Sequence, residues 1–393
     1  MIDKLYEKLQ SKFSKMQEIR QHLHEYPELS FEEVETAKYI ADFYKDLDVG
    51  VRTDVGGRGV VVTIDSGKPG KTIALRADFD ALPVQEDTGL PFASKNPGVM
   101  HACGHDAHSA YLMILAESLA ELKDELVGKI VILHQHAEEV PPGGAIQMIE
   151  DGALDGVDNI FGCHVMSQMD YGNVYYHVGP TQQARAKFTV KIQGVGGHGA
   201  APHEANDALI CASYMVTALQ TIVSRRINPF EPGVVTIGSL TGEGTFNIIK
   251  DSVEIVGDVR CMSDNVREII EENVVRIAEG IGHAFNCDIE VDYVNDYPVL
   301  VNDEEMTLLA KEAVEEAPID ELKAVLDSGQ MPPSEDFAYY SQERPSCFLY
   351  IGAKPVDKEA FPHHHPKFDV EEKSMLLAAK TIGATVLRYM GLF

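Results

Sequence analysis

Apolar positions along the chain change period from segment to segment. From Leu5 to Leu23, and again from Val34 to Leu47, they recur at helical spacing, so two amphipathic helices are predicted at the start. The runs Val60-Val61-Val62-Thr63-Ile64 and Thr72-Ile73-Ala74-Leu75 then read as buried strands. A helix after Asp106 follows, then a strand over Ile130 to Leu133, a helix near Ala145 to Ile149 and a strand over Ile160 to Cys163. Such alternation predicts an α/β layer with a largely parallel sheet, whose functional groups gather at the carboxyl ends of strands. The polar clusters sit where that rule puts them. Asp78 and Asp80 follow one strand, His134 to Glu139 another and His164 a third.

Near Ala184 the rhythm changes. A strand (Phe188 to Ile192), a long helix (Ala205 to Arg226), strands over Val234 to Ser239 and Val253 to Cys261, a helix (Val266 to Phe285) and a strand (Ile289 to Tyr293) follow in order. This β-α-β-β-α-β order predicts a ferredoxin-like unit with one antiparallel sheet. After Tyr297 the α/β character returns, with a strand over Cys347 to Ile351 and a final helix from Glu371 to Tyr389. The expected fold is therefore a mixed, largely parallel α/β domain built from residues 1–183 and 297–393, interrupted by an inserted α+β domain at 184–296. No internal repeat, low-complexity tract or heptad run is visible.

Bulk properties narrow the function classes. A chain of 393 residues exceeds the usual size of a single core, in keeping with two domains. With 62 acidic against 33 basic residues the net charge is -29, which repels polyanions and argues against nucleic acid or an anionic membrane as partner. The start shows no apolar signal core, and no apolar run approaches 18 residues, so a soluble cytoplasmic protein is expected. Six scattered cysteines do not form a disulfide framework, and a reducing compartment leaves them free as thiols.

The stretch His101-Ala102-Cys103-Gly104-His105-Asp106-Ala107-His108 packs three imidazoles, a thiol and a carboxylate into eight residues, which no hydrophobic core requires. Thiolate and imidazole together suit zinc, manganese, cobalt or nickel and suit magnesium or calcium poorly. Further candidates are Asp78 and Asp80, Glu138-Glu139, His164 and His363-His364-His365. Adjacent glutamates leave the backbone in different directions, which suggests a division of labour, one holding metal and the other accepting a proton from water. Asp80 is a candidate for orienting a ligating imidazole, whereas Asp78 reads equally as an ordinary strand-end acid. At most one of the three C-terminal histidines is expected to ligate. His22 and His24 read as surface or interface residues, and His134 and His136 as supporting residues at best.

Taken together, several motifs resemble the aminoacylase and carboxypeptidase family of co-catalytic metallohydrolases. They are Arg76-Ala77-Asp78-Phe79-Asp80-Ala81-Leu82-Pro83, His101 to His108, Glu138-Glu139 with Gly143-Gly144-Ala145, Gly197-His198-Gly199-Ala200-Ala201-Pro202-His203, and Ser334-Glu335-Asp336-Phe337. The subgroup most similar is that of hippurate and indole-acetyl-amino-acid amidohydrolases. The resemblance spans nearly the whole chain. It implies a dinuclear centre in the larger domain and a smaller domain that serves as lid and dimerisation module. By position, Cys103 would bridge two ions, with His105 and His164 completing one and Glu139 and His364 the other. Glu138 would be the general base, and His198 would steady the oxyanion in a neighbouring subunit's site. Asn247 and Arg260 are matched more weakly, as contacts for a substrate carboxylate. His136 and Val140 stand where the subgroup has proline and glycine, a departure expected to reshape the acyl pocket. His364 is preferred within the triplet only because it stands two before Pro366, and His363 and His365 stay open.

The expected activity is metal-dependent hydrolysis of an N-acyl amino acid to a carboxylic acid and a free amino acid. Two divalent ions (manganese, zinc, cobalt or nickel) per subunit and a homodimer or higher homo-oligomer go with it. A dipeptidase or carboxypeptidase using the same centre is the alternative among enzymes. A catalytically silent metal-binding protein is the alternative outside them, disfavoured because both Glu138 and Glu139 are present. The acyl group, the preferred amino acid and the physiological metal are not readable from the residues.

Overall fold

The computed structural model describes residues 1–393, which divide into two compact units. The first comprises Met1–Gly179, Val301–Gln330 and Asp336–Phe393, and the second Pro180–Leu300 with Met331–Glu335. The sequence pattern assigns residues 180–183, 297–300 and 331–335 to the larger domain, whereas the compact units put all three in the smaller one. Residues 331–335 join the chain at 181–183 by backbone pairing, the Met331 amide donating to the Thr181 carbonyl at 2.8 Å and the Gln183 amide to the Pro333 carbonyl at 3.0 Å.

The first unit is built on an eight-stranded sheet. Four parallel strands form its middle, in the order Lys129–Gln135, Thr72–Asp78, Asn159–Asp170, Ser346–Lys354. These strands are buried along almost their whole length, as expected when helices cover both faces and strand sequences become continuously apolar. Antiparallel strands flank them: Gly50–Val55 and Gly59–Asp65 on one side, Asn173–Tyr176 on the other, with Ala324–Asp327 at the far edge. The edge strands escape a reading of periodicity. Gly50–Val55 is exposed at five of its six positions, and the two far strands are four residues each.

Helices His105–Ala120 and Lys373–Tyr389 are buried at nearly every residue, and the former shows no marked apolar stripe. Gly383 lets the latter approach the N-terminal helix, since a Cβ there would meet Leu5 Cδ2 at 2.9 Å. The single helix expected over Leu5 to Leu23 is two, Ile2–Ser11 and Phe13–Glu25, because Lys12 turns out of helical geometry at φ -99 and ψ 6.

The second unit carries a four-stranded antiparallel sheet in the order Gly233–Thr241, Ser252–Cys261, Ala184–Gln193, Asp288–Asn295. Burial alternates along Ala184–Gln193, so Phe188, Val190 and Ile192 face a core shared with Cys211 and Met215 of helix Ala208–Leu219 and with Ile270 and Val274 of helix Asp264–Phe285. Contrary to the expectation that no long apolar segment exists, Ala208–Arg225 is long and apolar enough to cross a membrane by composition. Its buried residues, among them Cys211, Met215 and Ile222, pack into this core instead.

Arg20 is the largest buried cation outside the strand ends. It donates to Asp106 at 3.2 Å, Asp369 at 2.6 Å and Glu372 at 3.3 Å, tying Phe13–Glu25 to His105–Ala120 and to the C-terminal segment. His24, expected at the surface, is fully buried and lies 2.9 Å from the same Asp106. Its burial opposes protonation, but hydrogen bonds to Asp106 and Glu86 outweigh that and push its pKa up to about 9. Protonated His24 therefore favours the fold fully below its unfolded value near 6.5, and the contribution fades as pH rises through about 9. Urea titrations of wild type and His24→Gln between pH 6 and 10 should show a stability difference that shrinks across that window. Arg20→Ala, which takes one of two cationic partners from Asp106, the other being His24, and one of two from Asp369, the other being Lys358, should cost about 3 kcal/mol at pH 7 by the same measurement.

Candidate metal centre

The strand ends of the first unit are fixed by one guanidinium. Arg76, buried, donates to Asp78 at 2.6 Å, to Gln135 at 2.8 Å and to Asp336 at 2.7 Å. Asp336 also accepts from the Gln135 amide at 2.7 Å and from the Ala145 backbone at 3.1 Å, so it anchors the start of the short helix Gly144–Glu150. Burial alone would raise Asp78, yet the charges of His105 and Arg76 and the hydrogen bond from His108 hold it well below the usual carboxylate range.

Gly104 precedes helix His105–Ala120 with φ +95, and a Cβ there would meet Val165 Cγ2 at 2.5 Å, so the position demands glycine. This turn sets Cys103 just ahead of the helix and His105 at its first position. His105 Nδ1 lies 3.0 Å from both the Asp80 carboxylate and the Asp80 carbonyl, which places its proton there. Its Nε2 is buried without a hydrogen-bond partner, 3.9 Å from Glu139 and 4.0 Å from Glu138. His164 repeats the logic: Nδ1–H donates to the Val165 carbonyl at 2.8 Å, and Nε2 sits 3.5 Å from Cys103 Sγ. His108 differs. Its Nδ1 donates to Asp78 at 2.6 Å and its Nε2 accepts the Val165 amide at 2.9 Å, leaving no lone pair for an ion.

Glu138 and Glu139 follow strand Lys129–Gln135 through Ala137, whose φ of +52 is left-handed. That conformation costs a non-glycine residue on the order of 1 kcal/mol. Asp80 Oδ2 accepts the Glu139 amide at 2.9 Å and the Ser30 hydroxyl at 2.8 Å, so Asp80 orients His105 and Glu139 together. His364, also left-handed at φ +64, brings Nε2 to 3.3 Å from Glu139 Oε1, and its amide is tied to the Ala102 carbonyl at 2.8 Å. His363 faces Cys103 at 3.6 Å, but its Nε2 accepts the Ser167 amide at 3.4 Å. His365 turns away and stacks on Phe361 at 4.7 Å.

Two sets of donors thus converge, Cys103–His105–His164 and Cys103–Glu139–His364, each with its ligand atoms within 4.8 Å of one another. The charge balance asks for cations. Burial, Glu139, Glu138 and Asp78 together push the Cys103 thiol well above its ordinary value. Burial works against His105, yet Asp78, Asp80 and Glu139 hold it up at about 10, so positive charge at Nε2 is favoured, carried by a proton until an ion replaces it. A buried imidazole nitrogen, His105 Nε2, and a buried carboxylate oxygen, Glu139 Oε1, neither of them hydrogen-bonded and the latter facing only the candidate ligand His364, fit a pair of divalent ions in this negative pocket.

Other predicted residues lie elsewhere. His134 hydrogen-bonds the Tyr44 hydroxyl at 2.8 Å, and burial lowers its pKa to about 3. His136 is buried against Gln147 at 3.3 Å and edge-on to Phe31. His22 stacks on Tyr39 at 4.2 Å. His101 is fully buried with both ring nitrogens partnerless, and burial pulls its pKa to about 4. Ser30 and Glu33 were missed by sequence reasoning, because polar residues between two helices look like an ordinary loop. Arg76 was read only as part of a motif.

In the second unit, His198 and Asn247 are brought together. Gly197–His198 pairs with Ile248–Ile249, and the Asn247 carbonyl accepts the Gly199 amide at 2.8 Å. His198 Nδ1 accepts the Ala200 amide at 3.0 Å, which leaves the proton on an exposed Nε2. Arg260 lies apart on strand Ser252–Cys261, donating to Asp258 at 3.0 Å and Ser334 at 3.3 Å.

Residues 74–388 match the model of peptidase family M20/M25/M40. The N-acetyl-L-cysteine deacetylase of Bacillus subtilis is 41% identical over 361 residues, covering 92% of this chain and 85% of that one. The crystal structure of a Staphylococcus aureus protein described as an aminohydrolase, from a methicillin-resistant strain, superposes with a TM-score of 0.96 at 58% identity, covering 99% of this chain and 100% of the other. A Bacillus subtilis protein described as a dinuclear metal-binding peptidase superposes with a TM-score of 0.84 at 30% identity, covering 98% and 100%. Asp80→Asn should weaken metal binding tenfold to a hundredfold, on the order expected when a ligand's hydrogen-bond partner is lost, measured by competition with a chromophoric chelator. Unchanged affinity would remove Asp80 from the ligand-orienting role.

Proposed function

The chain belongs to peptidase family M20/M25/M40 and is a metal-dependent amide hydrolase, and from that premise we propose that it cleaves N-acyl amino acids to a carboxylic acid and a free amino acid. The observation that carries this reading is the pair of donor sets sharing Cys103, with Glu138 beside them. Cys103, His105 and His164 would hold one divalent ion, and Cys103, Glu139 and His364 the other. The thiolate and imidazole donors favour manganese, zinc, cobalt or nickel. Bound there, such ions supply Lewis-acid polarisation of the amide carbonyl and acidify water.

The remaining work falls to side chains. Glu138 accepts the proton of the attacking water and delivers it to the leaving amine nitrogen. Asp80 keeps the His105 proton on Nδ1 and so keeps Nε2 a donor of electrons. His198, with its proton on Nε2, offsets charge developing on the carbonyl oxygen. Asn247 and Arg260 would receive the carboxylate of the amino-acid half.

The inserted unit would serve as lid and dimerisation module. Supporting this, it exposes Leu209, Ile210 and Tyr214 on one helix, Val234 and Leu240 on its outer strand, and Phe246 and Ile248 beside His198. A homodimer would place His198 in the neighbouring subunit's site. Six unpaired cysteines, one of them a proposed ligand, suit the reducing cytoplasm.

The test is amine release from a panel of N-acyl amino acids after metal reconstitution, against peptides with free amino termini. Faster hydrolysis of the peptides would point to a dipeptidase instead. Glu138→Gln should lower kcat by on the order of a hundredfold or more while two ions per subunit remain by elemental analysis. Loss of metal in that variant would make Glu138 a ligand. Mixing inactive Glu138→Gln and His198→Ala subunits should restore partial activity, because one composite site per heterodimer regains both groups. Tagged heterodimers that form yet stay inactive would confine His198 to its own subunit.

A further inference from the structure

Glu33 stands at the start of helix Val34–Tyr44 and is completely buried, a rare place for a carboxyl group with no cationic partner. Its Oε1 accepts the backbone amide of Ala137 at 2.8 Å. Its Oε2 is buried without a hydrogen-bond partner. On the other side of the same residue, the Ala137 carbonyl accepts the Gly144 amide at 3.0 Å. Ala137 is thus pinned at both backbone groups in a left-handed conformation that alanine seldom adopts, immediately before Glu138 and Glu139.

We infer that Glu33 is a positioning residue: by holding the Ala137 amide it fixes the backbone turn that presents Glu139 to the metal pair and Glu138 to the attacking water. The inference rests on the metallohydrolase reading above and assigns a job to a residue outside the ligand set. The direction of the turn is what matters. Relaxing φ at Ala137 to the ordinary negative region would swing both following side chains away from Asp80 and His105. The carboxyl group suits this post because burial and the neighbouring Asp80 push it up to about 8, so at neutral pH it serves as an acceptor without adding charge to an already acidic pocket. A glutamine can do the same.

Three variants test this, read by metal content and chelator competition as well as by kcat. Glu33→Gln keeps the acceptor and should keep both ions and turnover within about threefold. Glu33→Met fills the space without an acceptor, and should weaken one of the two ions and lower kcat by on the order of tenfold to a hundredfold, with KM little changed. Adding Ala137→Gly to Glu33→Met should recover a substantial part of both, since glycine enters the left-handed region freely. A cavity or packing defect alone would not be rescued by glycine, so absence of rescue overturns the inference. So does full metal affinity in Glu33→Met, or equal damage in Glu33→Gln. If Glu33→Met does not fold, Glu33→Gln decides: retention of both ions supports the assignment and loss of one overturns it. Wild-type protein that binds no metal pair would refute the underlying functional reading instead, a result separable from any of these.

Discussion

The contact between Arg76 and its two carboxylates organises the larger unit. A guanidinium taken out of water is a liability unless each of its faces is met, and here Asp78, Gln135 and Asp336 meet them from three segments far apart in the chain. The gain in stability from such a buried pair is modest, since desolvation offsets most of the attraction. What it supplies is registry. Two parallel strands and the returning C-terminal segment can satisfy Arg76 in only one alignment, and that alignment brings Asp78, Asp80 and the Glu138–Glu139 turn to one end of the sheet.

Around this frame, hydrogen bonds sort the histidines by what they can do. His105 and His164 spend Nδ1 on oxygen acceptors and keep Nε2 lone pairs for the pocket, whereas His108 has both nitrogens engaged and serves the scaffold. The acids are graded in the same way. Asp78 is neutralised by neighbouring cations, Asp80 is divided between an imidazole, a hydroxyl and an amide, and Glu139 keeps one oxygen free of hydrogen bonds, facing His364. The electrostatics of the pocket follow from this unequal sharing more than from the number of acids present.

Much of this was legible in the residue pattern, for reasons of chemistry. Continuous apolar runs announce strands buried on both faces, so the parallel middle of the sheet could be read directly, whereas His164, expected just after its strand, lies inside Asn159–Asp170 because the strand runs on past the apolar stretch. Exposed or four-residue strands leave no such trace, and Gly50–Val55, Asn173–Tyr176 and Ala324–Asp327 were invisible for that reason. His24 reads as a surface or interface residue because a histidine in a polar helix gives no sign of a partner 82 positions away. Ser30 and Glu33 belong to the same class: their importance lies in distant backbone and carboxylate groups that only the folded chain brings near. That His364 faces Glu139 while His365 turns away follows from a backbone φ, which three identical side chains cannot reveal.

The strand Ser346–Lys354 lies in the parallel middle of the first unit's sheet, beside Asn159–Asp170, although more than 170 residues separate them in the chain. During synthesis from the N-terminus, the inserted unit is nearly complete before that central strand has left the ribosome. Until then Asn159–Asp170 presents an open edge along which another chain could pair, and the order of emergence makes the larger unit the last to close. A discontinuous domain of this kind therefore carries its main hazard of misassembly in the interval between making its insert and making its final hundred residues, a window set by translation speed rather than by the strength of any contact in the finished molecule.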